Sequence, residues 1–515
     1  MNLHGFSALA LKDTALLEIK PRQLEQPVNP ATAYPPTERA ESPAIQHTPA
    51  LRVSLNAEIP SPSTYDKPAV YHTYLRDQTS YRSGTATAAV TTTLSSHLSS
   101  LRKNDVTFSP GLFFSHAGAL SRETSSYSNE ARYAQVPADA AVEKMTPDFT
   151  PKGKILASAT VNIRTRDGDT ISLNLVQNTN GSGLSFSFTV EGNLSEAEQQ
   201  ALEKLAAKLG EVADEFFRSG TAELRGLDAF DGSVLNSFSL SLSQRHGLDQ
   251  KTFTYDYVID HANNTVTLSG KDVEGYTFDI TAHISNLLHG QTSAAHQALE
   301  HYIELLRHAA NDHDTPSSSL RFMLDGLRSL LLPAHPAPMN PDPYARLLEN
   351  FDSGLPDFSA SFKSPVAHNP SNYAQVASMS LNMGQTTRIE TTNSRVWIQQ
   401  ESFYELYQNS FKALPGLERP DFTGGNYVYI NNYARETITR TLVTEGEIKN
   451  IFIEREREWQ RSEQQVQNFT RIAQDETGDA DNVLIDLLDR THAQSTHTDL
   501  ISLLHTSRQH LFHYW

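Results

Sequence analysis

The chain predicts an α+β fold: an antiparallel sheet meander carrying a packed amphipathic helix, then a helical hairpin, then a second, smaller β-containing region with C-terminal helices. Short runs of apolar residues alternate with polar ones between residues 153 and 283, and one longer run there repeats at three and four instead. Clusters of Pro, Gly, Asn and Asp separate the runs.

Ile155, Ala157, Ala159, Val161 and Ile163 alternate with Leu156, Ser158, Thr160, Asn162 and Arg164, the pattern of a half-buried strand. Arg166-Asp167-Gly168-Asp169 supplies a hairpin turn, after which Ile171, Leu173 and Leu175 resume the alternation. Leu184, Phe186, Phe188 and Val190 make a further strand. Ser195 with Glu198 three residues on is a capping box, because each side chain can bond a backbone N–H left unpaired by the first helical turn. From there Leu202, Leu205, Leu209, Val212, Phe216 and Phe217 form one apolar stripe, and Gly220 ends the helix. Phe238, Leu240 and Leu242 return as a strand, and the alternation continues through Tyr255, Tyr257, Val266, Leu268, Phe278 and Ile280.

Ser293 to Ala310 and Pro316 to Leu332 read as two helices in series, hence a hairpin. The resulting division is a disordered Pro-rich arm over 1–75, a poorly defined stretch over 76–150, the sheet and helix module over 151–285, the helical hairpin over 286–333 and a linker over 334–365. The second β-containing region takes 366–446 and C-terminal helices take 447–515. The arm holds ten of the 25 prolines. Thr85 to Leu101 fits a weak helix or a strand. Ala377 to Met383 echoes Ala157 to Ile163 as a possible repeat. Glu447 to Gln474 reads as helical because Phe452, Trp459, Val466 and Ala473 lie seven apart among dense Glu and Arg.

The succession Arg164-Thr165-Arg166-Asp167-Gly168-Asp169-Thr170, Val190-Glu191-Gly192-Asn193-Leu194-Ser195, Ala213-Asp214-Glu215-Phe216-Phe217 and Phe238-Ser239-Leu240-Ser241-Leu242 resembles a module of an uncharacterised bacterial protein family without assigned activity. It spans residues 152–245. The resemblance implies no active site.

A net charge of −18 opposes general binding to nucleic acid, since both partners carry the same sign. With no cysteine, thiolate metal sites, disulfides and cysteine nucleophiles are excluded. No window is apolar enough for an integral membrane segment, and Met1 to Leu11 lacks the basic start of a Sec leader. The expected location is cytoplasmic, or exported without a cleaved Sec signal.

No G-x-G-x-x-G, Walker A or G-x-S-x-G pattern occurs, so no cofactor is expected. Asp167 and Asp169 sit in a hairpin turn, where carboxylates satisfy local amides. The sharpest constellation is His301, Glu304, His308 and Asp312, spaced three, four and four along one helix edge as metal ligands could be. Against it, the buried stripe of Tyr302, Leu305, Leu306 and Ala309 leaves those residues at a wet border with no need of a function.

The preferred expectation is a non-enzymatic interaction or structural protein acting through surface contacts with a protein partner of unknown identity. The alternatives are a metal-dependent hydrolase using the His301 edge and an exported surface or appendage-associated protein. Candidate anchoring aromatics are Tyr427, Tyr429 and Tyr433, with Tyr65, Tyr71 and Tyr74 at the base of the arm. Oligomeric state is open.

Overall fold

Alternation along each strand, carried from neighbour to neighbour in register, decides this architecture. The computed structural model describes residues 70–77, 84–103, 106–136, 154–178, 183–222, 230–283, 293–331, 351, 353–392, 395–445 and 448–487. In chain order they form β1 (Val70–Asp77), α1 (Thr85–Lys103), α2 (Gly111–Phe114), α3 (Ala117–Glu123), β2 (Ser126–Val136), β3 (Ile155–Thr165), β4 (Thr170–Asn178) and β5 (Gly183–Glu191). Then come α4 (Glu196–Ser219), β6 (Leu235–His246), β7 (Asp249–Asp260), β8 (Thr265–Lys271), β9 (Thr277–His283), α5 (Ser293–Asp312) and α6 (Ser317–Leu331). The rest is strand: β10 (Phe358–Lys363), β11 (Ala367–Asn369), β12 (Asn372–Thr391), β13 (Val396–Lys412), β14 (Tyr427–Thr444), β15 (Ile448–Gln467) and β16 (Thr470–Asp486).

All the strands belong to a sixteen-stranded antiparallel arrangement in the order β1-β2-β5-β4-β3-β6-β7-β8-β9-β10-β12-β13-β14-β15-β16, with β11 on β12. Residues directly opposite one another point to the same face. One rung therefore runs Leu173, Val161, Leu240, Tyr255, Gly270, Phe278, Phe362, Leu381, Leu406, Ala434 across ten strands. The rung one residue away runs Ser172, Asn162, Ser239, Asp256, Ser269, Asp279, Ser361, Asn382, Glu405, Arg435. Apart from Gly270 the first rung is apolar, and the second is polar across all ten strands. Gly270 interrupts the apolar rung because a Cβ there would come within 2.7 Å of the Phe322 ring, which α6 places in that gap.

Helices tile the apolar face. Helix α1 packs against β2 and β5, α3 against β5, and α2 against α4 with its Phe113 ring 5.4 Å from that of Phe186 on β5; α4 packs against β3 and β6, α6 against β8 and β9, and α5 against β12 and β13. Helix α4 begins at the expected capping box, in which Ser195 Oγ accepts the Glu198 N–H at 3.3 Å and Glu198 Oε2 accepts the Ser195 N–H at 2.8 Å. It ends on Gly220, whose φ of +78° is the left-handed cap glycine adopts without strain. Thr85 to Leu101 proves helical: Val90, Leu94 and Leu98 are buried one turn apart, and Thr91 returns its hydroxyl to the Thr87 carbonyl at 2.8 Å. Buried His97 is held neutral, its pKa lowered to about 4 by desolvation, and its Nε2 accepts the Ser109 N–H at 3.3 Å.

The mixture of α and β is as expected, with strand predominating over helix. The C-terminal helices are a correction. Residues 448–467 and 470–486 are the long strands β15 and β16, and residues 488–515 lie outside the described set. Glu and Arg favour helices in isolation, but pairing with β14 from Tyr427↔Val466 to Thr444↔Ile448 overrides that preference. Residues 366–446 do hold strands, but these continue the first sheet, joined through β10, which lies inside the expected linker and pairs with both β9 and β12. The poorly defined stretch over 76–150 supplies α1, α2, α3 and β2. Of the arm, only Val70 onward is described, as part of β1. The echoing segments share an orientation: Ala157, Ala159, Val161 and Ile163 are buried, as are Met379, Leu381 and Met383.

Under β12 to β14 the covered face holds polar groups too. Gln385, Gln400, Gln408, Glu436 and Arg440 are all buried there. Gln408 Nε2 donates to the Ala309 carbonyl at 2.9 Å and Tyr302 OH donates to the Gly384 carbonyl at 3.1 Å, so α5 is pinned to the sheet by directional bonds as well as packing.

Candidate functional site

The long strands β13 to β16 carry the most varied chemistry of the uncovered face. At their tip, residues 413–426 fold over it and bury Tyr427 and Tyr429 with Val466. Phe422 meets Phe411 edge-on at 5.1 Å, and Phe411 stacks on Tyr429 at 5.1 Å. The loop holds its shape because Asp421 Oδ1 accepts the Gly424 N–H at 2.7 Å and Gly425 turns at a φ of +66°. Phe469, in the turn between β15 and β16, donates its N–H to the Gly425 carbonyl at 3.2 Å.

Beyond that aromatic cap the face opens. Asn409, Asn431, Ser462 and Glu476 form one rung, and Tyr407, Tyr433, Gln460 and Gly478 the next. Together they line a depression of about 630 Å³. The adjoining rungs, with Arg435, Glu458 and Ala480, then Thr437, Glu456 and Asn482, line a second depression of about 310 Å³. Tyr407 is 50% exposed and its ring centroid lies 4.9 Å from that of Tyr433. Its hydroxyl donates to Glu405 Oε1 at 2.9 Å; desolvation and that carboxylate push the phenol up to about 12, so it stays protonated. Arg435 Nε lies 2.9 Å from Glu458 Oε2. Gly478 matters to the outline, since a Cβ there would approach the Trp459 carbonyl to 2.8 Å.

The structure separates the expected anchors. Tyr427 and Tyr429 are core, Tyr433 lies half-buried on the open face, and Tyr407, its neighbour on β13, was missed. The alternation of Tyr404, Leu406 and Gln408 with Phe403, Glu405 and Tyr407 was the signal that could have found it. Tyr71 and Tyr74 fall in β1, and Tyr65 lies outside the described residues.

His301, Glu304, His308 and Asp312 lie along α5 as the spacing requires, but they do not converge. Glu304 is engaged by Arg307, His308 is exposed, and desolvation lowers the pKa of His301. Among the described residues, no group of three or more His, Asp or Glu side chains is arranged to hold a metal ion. Asp169 serves local structure, its Oδ2 accepting the Asn193 N–H at 3.2 Å. Among the described residues no helix is long and apolar enough to cross a membrane.

No family model, no curated protein and no solved structure matches this chain.

Proposed function

We propose that this chain is a non-enzymatic interaction protein that acts through the uncovered polar face of its sheet, centred on β13 to β16. The observation that carries this reading is the contrast between the two faces. Helices cover the apolar rungs as far as β13, while the polar rungs over β13 to β16 hold a half-exposed tyrosine pair among amides, hydroxyls and paired charges. Such a surface binds by summing many modest contacts around a few aromatic anchors. Catalysis instead concentrates its effect in a few groups held in one geometry.

The test is complementation of whatever phenotype deletion of the gene produces. Single alanine substitutions of Asp, Glu and His residues should each restore it, whereas Tyr407→Ala combined with Tyr433→Ala and Gln460→Ala should not. If one acidic or histidine substitution abolishes complementation in a stably folded protein, the chain is an enzyme.

A further inference from the structure

We propose that the larger depression on this face is a binding site for a neutral oligosaccharide, an inference that rests on the open face being the interaction surface. Sugars present two kinds of surface: hydroxyls, each both donor and acceptor, and patches of C–H groups on the ring faces. A site for them needs planar hydrogen-bonding groups beside an exposed aromatic ring. Asn409, Asn431 and Gln460 surround the Tyr407 and Tyr433 pair on consecutive strands, and each amide offers a donor and an acceptor side by side, the pattern that vicinal hydroxyls complement. Tyr407 offers its half-exposed ring for stacking, and the adjacent Glu405 fixes its hydroxyl.

Size and rigidity agree. A volume of about 630 Å³ lies within the range of small-ligand sites. The groups stand on paired strands, so little order is lost on binding.

Charge and polarity remove the competing ligands. A phosphate-bearing ligand needs cations in excess, yet on these open rungs Arg435 faces Glu458, and Glu476 adds a further carboxylate. An acyl chain needs a lining that is apolar throughout, whereas here the two tyrosine rings stand among amide, hydroxyl and carboxylate groups. A peptide strand adds to a sheet edge through its backbone, whereas this face presents side chains from the middle of paired strands.

The experiment is to screen the full chain on a glycan array and to titrate the bound oligosaccharides by calorimetry at low and high salt. Binding to a subset of neutral glycans is expected, with an affinity that salt leaves unchanged. Tyr407→Ala and Tyr433→Ala should each weaken it about tenfold, while Tyr407→Phe keeps the ring and most of the affinity. Circular dichroism and thermal melting establish that each variant folds. The proposal is overturned if no glycan binds, if binding survives the double tyrosine substitution in a folded protein, or if binding is confined to acidic glycans and vanishes with salt. An empty array alongside loss of complementation by the tyrosine variants would reject the sugar and leave the interaction surface standing. Capture of a peptide at the same residues would do likewise.

Discussion

Replacing Gln400 by leucine is expected to cost the folded protein about 3 kcal/mol, although leucine is close in size and the site is fully buried. Gln400 is 0% exposed, and its Oε1 accepts both the Arg440 guanidinium and, at 3.3 Å, the Ser353 N–H. Its Nε2 donates to Thr387 Oγ1 at 3.0 Å. Arg440 is itself 1% exposed, with its guanidinium 5.6 Å from the centroid of the Phe351 ring. Leucine would take an acceptor from a buried cation and from a buried amide at once, and neither can turn to water. The neighbouring residue is the control: Gln399 points to the uncovered face, so Gln399→Leu should change stability by no more than about 0.5 kcal/mol. Urea denaturation of both variants, read as a shift of midpoint at constant slope, measures the difference.

Phe216→Ala should destabilise the protein by about 3–5 kcal/mol. The Phe216 side chain is 1% exposed, meets Phe217 edge-on at 4.9 Å and lies 6.1 Å from Phe253, so it joins α4 to the sheet. Truncation would lose the burial of the ring and leave a void that close-packed neighbours fill only in part. On the wet side of the same helix, Glu211 pairs with Lys208 at 2.8 Å, and Glu211→Ala should cost about 0.5 kcal/mol or less. A loss at Phe216 no larger than that at Glu211 would mean that α4 does not cover the sheet here.

Local elements were legible in the sequence wherever one pattern dominated. The capping box at Ser195, the stripe ending at Phe216 and Phe217 and the alternation from Ile155 to Ile163 each specify an element within a dozen residues or so. The helix at Thr85 was ambiguous because Thr and Ser compete for the backbone, and only burial of Val90, Leu94 and Leu98 decides it. The error over residues 447–474 came from following heptad spacing and helix propensity past a clearer sign. From Glu454 to Glu458 glutamate and arginine alternate strictly, a two-residue period that places Phe452, Glu454, Glu456 and Glu458 on one face and Ile451, Ile453, Arg455 and Arg457 on the other. The candidate site was less legible than the fold. Which strands adjoin is set by long-range pairing, so nothing local places Gln460 beside Tyr433 and Tyr407.

The two-faced sheet extending through β15 is tested most directly by cysteine accessibility. The natural chain has no cysteine, so single substitutions Ile451→Cys, Phe452→Cys, Ile453→Cys, Glu454→Cys, Arg455→Cys and Glu456→Cys can each be labelled without background. Reactivity toward a thiol reagent in the folded protein should alternate, high at 452, 454 and 456 and low at 451, 453 and 455. Reactivity that instead repeats every three to four residues, or that is uniform along the series, would contradict a strand here and with it the uncovered face on which the functional proposals stand.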